Sequence, residues 1–312
     1  KMTKSGIIAS IIIGAALILA VTSFQDDSLV VDEIPHVGSG YSYLKKLDFR
    51  LNPEHPPLVK ALAATPLLFL DLKQEAFQTR FWLNDINGQW DFSRFFIFQQ
   101  SGNNPDLITK TVKFPMLAFF ILAGVLIYKW ASSLYGNKTG LLALALFSFS
   151  PTVIAHSRFI TTDVPALLGV ILSTFYFIKY LKSPTRKNIW LAGLALGLAM
   201  LTKFSTFLLI PYFLALILFY IWIFRPHQKF LLFKFYFLIL IIGFLLVVWP
   251  VYYLFTFNYQ PERQLNDTQN ILGSFGSRNI AGIVEWMADK PVIRALGHYG
   301  LGLLMVQQRS SG

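Results

Sequence analysis

Apolar stretches of helix length, nearly free of charge, recur from one end of this chain to the other. A hydrocarbon core about 30 Å thick is crossed by roughly 20 apolar helical residues. Inside it every backbone N–H and C=O must find its partner within the chain. Seven stretches reach or approach that length: 6–24, 112–130, 140–156, 164–181, 189–202, 205–224 and 232–256. The fifth is short and reads as a tilted or inward-facing helix. The expectation is an all-α polytopic membrane protein with about seven transmembrane helices.

The composition excludes the other broad classes. Charged residues make up only 14% of the chain and hydrophobic ones 54%, with 30 Phe and no Cys. A soluble protein carries roughly 25% charged residues, so a soluble enzyme, a disordered chain and a disulfide-stapled domain all fall away. The chain opens on Lys1 and stops at Ser310-Ser311-Gly312, so it reads as a fragment truncated at its C-terminus. No small-x-small cleavage site separates Gly6–Phe24 from Asp26-Asp27, so this stretch reads as a retained first span rather than a signal peptide.

Charge sets the expected orientation, because cytoplasmic loops are rich in Lys and Arg. With the N-terminus inside, Lys1, Lys4, Lys129, Lys138, Lys179, Lys182, Arg186, Lys187, Arg225, Lys229 and Lys234 all fall on the inner side. The other 16 basic residues and all 16 acidic ones fall outside. The formal charge of +11 is therefore carried entirely by the inner face. That pattern describes topology and contact with anionic headgroups, not a nucleic-acid partner.

Two outer segments are long, 25–111 and 257–312. The chain accordingly divides into a transmembrane core at 1–256, which includes the first outer loop, and a second outer segment at 257–312. Loops longer than about 12–15 residues are functional or disordered, and the first carries aromatics throughout. Within it, 58–70 is apolar but too short to span, and reads as an interfacial or re-entrant helix started by Pro56-Pro57.

Four clusters carry the residue types of a reactive site. Asp32-Glu33 follows the first span and reads either as solvated loop charge or as a carboxylate held at the membrane surface as a base. Glu54 and His55 precede the short helix, in a proline-stiffened run that includes Lys60. They read either as a helix start or as a site wall facing a metal, an acceptor or a phosphate. Asp163 lies in the link between the third and fourth spans and has the look of an ordinary N-terminal helix residue before Pro165. With Arg158 it nevertheless sits at the membrane level of Asp32, where ionisable groups are costly. Lys203 is the only charge in its link, and with Lys113 and Arg158 it makes a set of outer cations suited to a phosphate. His298, Tyr299, Gln307 and Arg309 lie in the second outer segment without an assigned place. No nucleophile elbow, Walker loop or His-Glu-x-x-His motif is present.

Taken in order, one span, Asp32-Glu33, then His55-Pro56-Pro57-Leu58 with Lys60, then Thr161-Thr162-Asp163-x-Pro165 resemble a single family. The resemblance is to membrane glycosyltransferases of the GT-C type that use polyprenyl- or dolichyl-phosphate sugars. It is closest to protein O-mannosyltransferase-like members of glycosyltransferase family 39, with lipid A aminoarabinose transferases as relatives. It implies Asp32 as the catalytic carboxylate with Glu33 its companion, and Asp163 as the second-loop acidic residue. It puts Glu54 and His55 on the acceptor or metal side, beside Lys60, and the donor phosphate near Lys113. The implied partners are a polyprenyl-phosphate sugar, a hydroxyl acceptor on protein, lipid or glycan, and membrane lipids. The implied cofactor is at most a divalent metal, at Glu54 and His55.

The chemistry is coherent with those residues. A sugar on a lipid phosphate leaves with a stable anion, so cations or a metal matter more than a general acid. The acceptor hydroxyl needs a base, for which Asp32 is the expected group. The expectation is an inverting hexosyltransferase with its site on the outer face of a cell membrane. Transfer to lipid A or another glycan is the alternative within that class. The rival class is a flippase of lipid-linked sugars, which would place ionisable groups near mid-membrane; the spans are almost free of them.

Overall fold

The computed structural model describes residues 3–98, 101–227 and 229–311. Lys1, counted among the inner cations, lies outside the described residues. Among those described, regular structure is helical throughout. The first span is α1 (Lys4–Ser23), begun by the Thr3 side chain accepting from Gly6 N at 3.2 Å. The outer segment after it folds into α2 (Glu33–Lys46), α3 (Pro57–Ala64), α4 (Arg80–Leu83) and α5 (Gln89–Ile97). Pro57 opens α3, which runs on through a 3-10 turn to Phe69. These helices close around a buried aromatic group that includes Tyr41, Phe77, Trp82, Phe92 and Phe96.

The chain then re-enters the bundle as α6 (Pro105–Tyr135), whose first turn carries Pro105 and is capped by Asn104. Next come α7 (Asn137–Ser148), α8 (Pro151–Arg158), α9 (Asp163–Lys182), α10 (Arg186–Met200) and α11 (Leu209–Phe224). The last span is α12 (Lys229–Gly243) continued through a π-helical turn into α13 (Trp249–Phe255). The second outer segment forms α14 (Pro261–Leu272), α15 (Arg278–Met287) and α16 (Arg294–Ser311). It folds back so that α16 packs on α13 and on the turn before α11.

Among the described residues five helices are long and apolar enough to cross a membrane, and a sixth if one bent pair counts as a span. The seven expected stretches differ from this at two places. Residues 140–156 are broken into α7 and α8, which meet at 63° where Pro151 follows Ser150. Residues 189–202 belong to α10, which at 15 residues is about 22 Å long. It is flanked by α9 and α12 and largely buried. Gly197 permits the close approach to the end of α12 and the π-helical turn after it, since a Cβ there would lie 2.6 Å from Gly243 O and 2.5 Å from Val247 Cβ. The protein is a multi-pass membrane protein of the all-α class, as expected.

Candidate active site

The reactive residues gather where the outer-loop helices meet the ends of α8, α9 and α16. Three buried knots shape that region. In the first, Glu33 is buried and holds two backbone donors, Val30 N at Oε2 and Ile160 N at Oε1, each at 2.8 Å. This joins the start of α2 to the link between α8 and α9. Burial raises the Glu33 carboxyl above its ordinary range, against the two backbone donors and Lys113.

In the second knot Lys60 is fully buried. Its ammonium donates to Asn52 O at 2.7 Å, and to Asn52 Oδ1 and His55 O at 2.8 Å. Tyr43 Oη lies at 2.9 Å as well, so four oxygens share the ammonium's three N–H donors. This ammonium therefore moulds the Asn52–His55 turn, where Asn52 adopts a φ of +53°. Burial pushes it well below its usual range, with Glu54 opposing.

The third knot holds Glu54, also buried. Its Oε1 accepts from Gln89 Nε2 at 2.6 Å and from Arg309 Nη2 at 2.9 Å, and its Oε2 from Asn87 Nδ2 at 3.3 Å.

Between these knots lies a polar cleft of about 210 Å³. Asp32, Glu54, His55, Asp163 and Lys203 all line it, so five residues singled out in the sequence converge. Asp32 sits at the N-cap position of α2 with its carboxylate exposed, and its side chain makes no cap hydrogen bond. Asp163 accepts from Lys203 Nζ at 2.8 Å, and His156 Nδ1 lies 3.5 Å from its other oxygen.

Four predicted residues stand outside the cleft lining. Glu33 and Lys60 are the knots just described. Lys113 and Arg158 both turn to Asp27, Lys113 at 3.4 Å and Arg158 in a closer contact. Arg158 also donates to Ser23 O at 2.8 Å. These two cations tie α6 and α8 to the end of α1 and do not join Lys203.

Three cleft residues were missed or unplaced. His36 lies one turn along α2 from Glu33, and its Nδ1 donates to Ile160 O at 2.6 Å. Its ring meets that of His55 edge-on at 4.8 Å. Burial first, then Lys60, lowers His36 to about 4. Burial, followed by His36 and Lys60, lowers His55 to about 2. Both rings are therefore neutral near pH 7. Gln89 enters the lining from α5, and Arg309 from the far end of α16. The i, i+3 spacing of Glu33 and His36 on one helix face was available as a signal; nothing in the sequence pointed to Gln89 or Arg309.

Glu54 and His55 do not build a metal set. Both Glu54 oxygens are engaged by Gln89, Arg309 and Asn87, and no group of three His, Asp or Glu able to hold an ion occurs among the described residues.

Below the cleft an apolar groove of about 560 Å³ runs between α9 and α11. Leu167, Val170, Leu209 and Tyr212 line it, and Asp163 borders both spaces. The polar cleft and the mainly apolar groove thus share one lining residue, Asp163.

A model of the family described as dolichyl-phosphate-mannose-protein mannosyltransferase matches residues 9–262. An uncharacterized protein of Aquifex aeolicus (strain VF5) is 31% identical over 117 residues, which is 37% of this chain and 23% of that relative. The chain thus covers less than a quarter of that relative's length. No solved structure matches.

Proposed function

We propose, for a chain that belongs to the dolichyl-phosphate-mannose-protein mannosyltransferase family, that it moves a mannose-like sugar from a polyprenyl phosphate to a hydroxyl, and that this hydroxyl belongs to a protein Ser or Thr. The carrying observation is the meeting of the polar cleft and the apolar groove at Asp163. A donor with a charged head and a long hydrocarbon tail needs both spaces, joined at its phosphate.

In this reading the prenyl chain lies along Leu167, Val170 and Tyr212, and the phosphate reaches Lys203 and Arg309. Those two cations border the cleft, each held by a carboxylate of its own, Asp163 and Glu54. Lys113 and Arg158, which stand outside the cleft lining and bind Asp27, keep a framework role. Asp32 takes the acceptor proton. The acceptor oxygen attacks the anomeric carbon on the face opposite the phosphate, the carbon–phosphate oxygen bond breaks, and its electron pair leaves with the lipid phosphate. One displacement inverts the anomeric centre. His36 and His55, neutral and facing the same space, offer hydrogen bonds to sugar hydroxyls without adding charge. The site faces the outer side, with the N-terminus in the cytoplasm, as the Lys and Arg distribution supports.

The test is release of labelled mannose from polyprenyl-phosphate mannose by the protein in membranes, with Ser/Thr peptides supplied. Label appearing on peptide supports the reading. Label appearing only on a glycolipid would redirect the acceptor, and an untouched donor would contradict the transferase.

A further inference from the structure

The rotation of α15 is fixed by α16. Ala281, Val284 and Ala288 on its inner face are buried against a flat side of α16. Gly297 and Gly300 make that side flat, since Cβ atoms there would lie 2.8 Å from Met287 Cβ and 3.2 Å from Val284 Cγ2. With that face spent, Ile280, Ile283 and Trp286 recur at every third position on another side and are exposed by 47%, 61% and 59%. The polar flank is held separately, by Arg278 paired to Glu285 at 2.7 Å. The helix is strongly amphipathic, with its apolar stripe facing away from the protein.

The level of this helix is set by its following turn. Trp249 Nε1 donates to Val292 O at 2.8 Å. Trp249 belongs to the last span, which ends at Phe255, six residues and about 9 Å further on. The turn therefore lies about 9 Å inside the end of that span, and it exposes Val292 beside Tyr253 and Phe257, which flank the span's last residue. The apolar stripe of α15 therefore lies on a helix that is tied, through the turn at Val292, to the end of a membrane span.

We propose that α15 is a monotopic anchor, its Ile280–Ile283–Trp286 stripe inserted into the lipid leaflet at which α13 ends. Apolar residues at the acyl boundary with a Trp at the interface are what such a helix needs. Through the contact with Gly297 and Gly300 the anchor holds α16, whose far end delivers Arg309 to the cleft. The proposal rests on the membrane-spanning fold and not on the reaction assigned above.

The chain has no Cys, so single cysteines report without background. Ile283→Cys and Trp286→Cys, labelled with an environment-sensitive fluorophore in the full chain, are reconstituted into nanodiscs. Gln269→Cys, on the exposed polar side of α14, serves as the water-facing comparison. The expected result is blue-shifted emission at 283 and 286, loss of fluorescence to nitroxide-bearing lipids, and resistance to iodide. Position 269 should show the reverse. Equal iodide quenching at all three positions would overturn the proposal. So would labels at 283 and 286 shielded from both quenchers, which would mean that protein rather than lipid covers the stripe.

Discussion

The Arg309 guanidinium donates to Glu54 Oε1 at 2.9 Å across 255 positions of sequence, and so the last helix of the chain completes the wall of a cleft begun by the first outer loop. The pair is asymmetric. Glu54 is 3% exposed at its side chain and Arg309 is 63% exposed. The carboxylate is therefore framework, while the cation is free to meet a ligand.

Arg309→Ala separates binding from folding. A largely exposed partner contributes at most about 1 kcal/mol to stability, so the melting temperature changes little. The KM for a polyprenyl-phosphate sugar rises roughly tenfold, equivalent to about 1.4 kcal/mol. Steady-state kinetics with a parallel thermal melt checks both halves. A large melting shift with unchanged KM would remove Arg309 from the phosphate site.

Filling the groove discriminates donors by tail length. Val170 lines it and is 37% exposed, so Val170→Trp introduces bulk without disturbing a buried core. Turnover of long-chain polyprenyl donors falls, whereas short-chain analogues that do not reach the groove are used as before. Equal loss with both would mean that the tail lies elsewhere.

Lys60→Met is expected to be a folding defect. The ammonium satisfies four oxygens inside the protein, and removing it strands them at a cost on the order of 3 kcal/mol. Lost activity should track lost folded protein, measured by size-exclusion chromatography in detergent. A well-folded, inactive Lys60→Met protein would instead place this residue in the chemistry.

Stability should fall steeply below pH 6.5. His36, His55 and His298 are held down to about 4, about 2 and about 3, in each case chiefly by burial. As pH falls below 6.5 the unfolded chain takes up these protons and the folded one does not, so the folded state loses ground. Each histidine contributes a slope of about 1.4 kcal/mol per pH unit while its folded form stays neutral. His298→Leu, at a ring packed on Phe49 and outside the cleft lining, should flatten the curve by about one such proton. Thermal melts from pH 7.5 to 5 read the slope directly, and an unchanged slope would contradict the assignment.

Much of the architecture was legible because hydropathy reports burial in lipid directly. It failed where tertiary packing replaces lipid. α10 is short and buried between α9 and α12, as its length in the sequence had suggested, whereas Pro151 breaks what composition shows as one span. In the site, Asp32, Asp163 and Lys203 were found by type and spacing. Lys113 and Arg158 were grouped with Lys203 because all three lie at one membrane level, yet Asp27 pairs with both of the first two. Lys60 was placed on the acceptor or metal side, and only the fold shows its ammonium facing inward onto four oxygens. Arg309 was beyond reach, since its place depends on how α16 folds back.

The most direct test of the account is single-turnover sugar transfer by Asp32→Asn beside the parent protein, with donor binding measured on both. Asp32 lines the cleft with its carboxylate exposed, and the change to Asn keeps its shape while removing the base. The account predicts unchanged donor affinity and a transfer rate lower by about 10²- to 10⁴-fold, the range for a lost general base. Transfer at the parent rate would show that Asp32 is not the base.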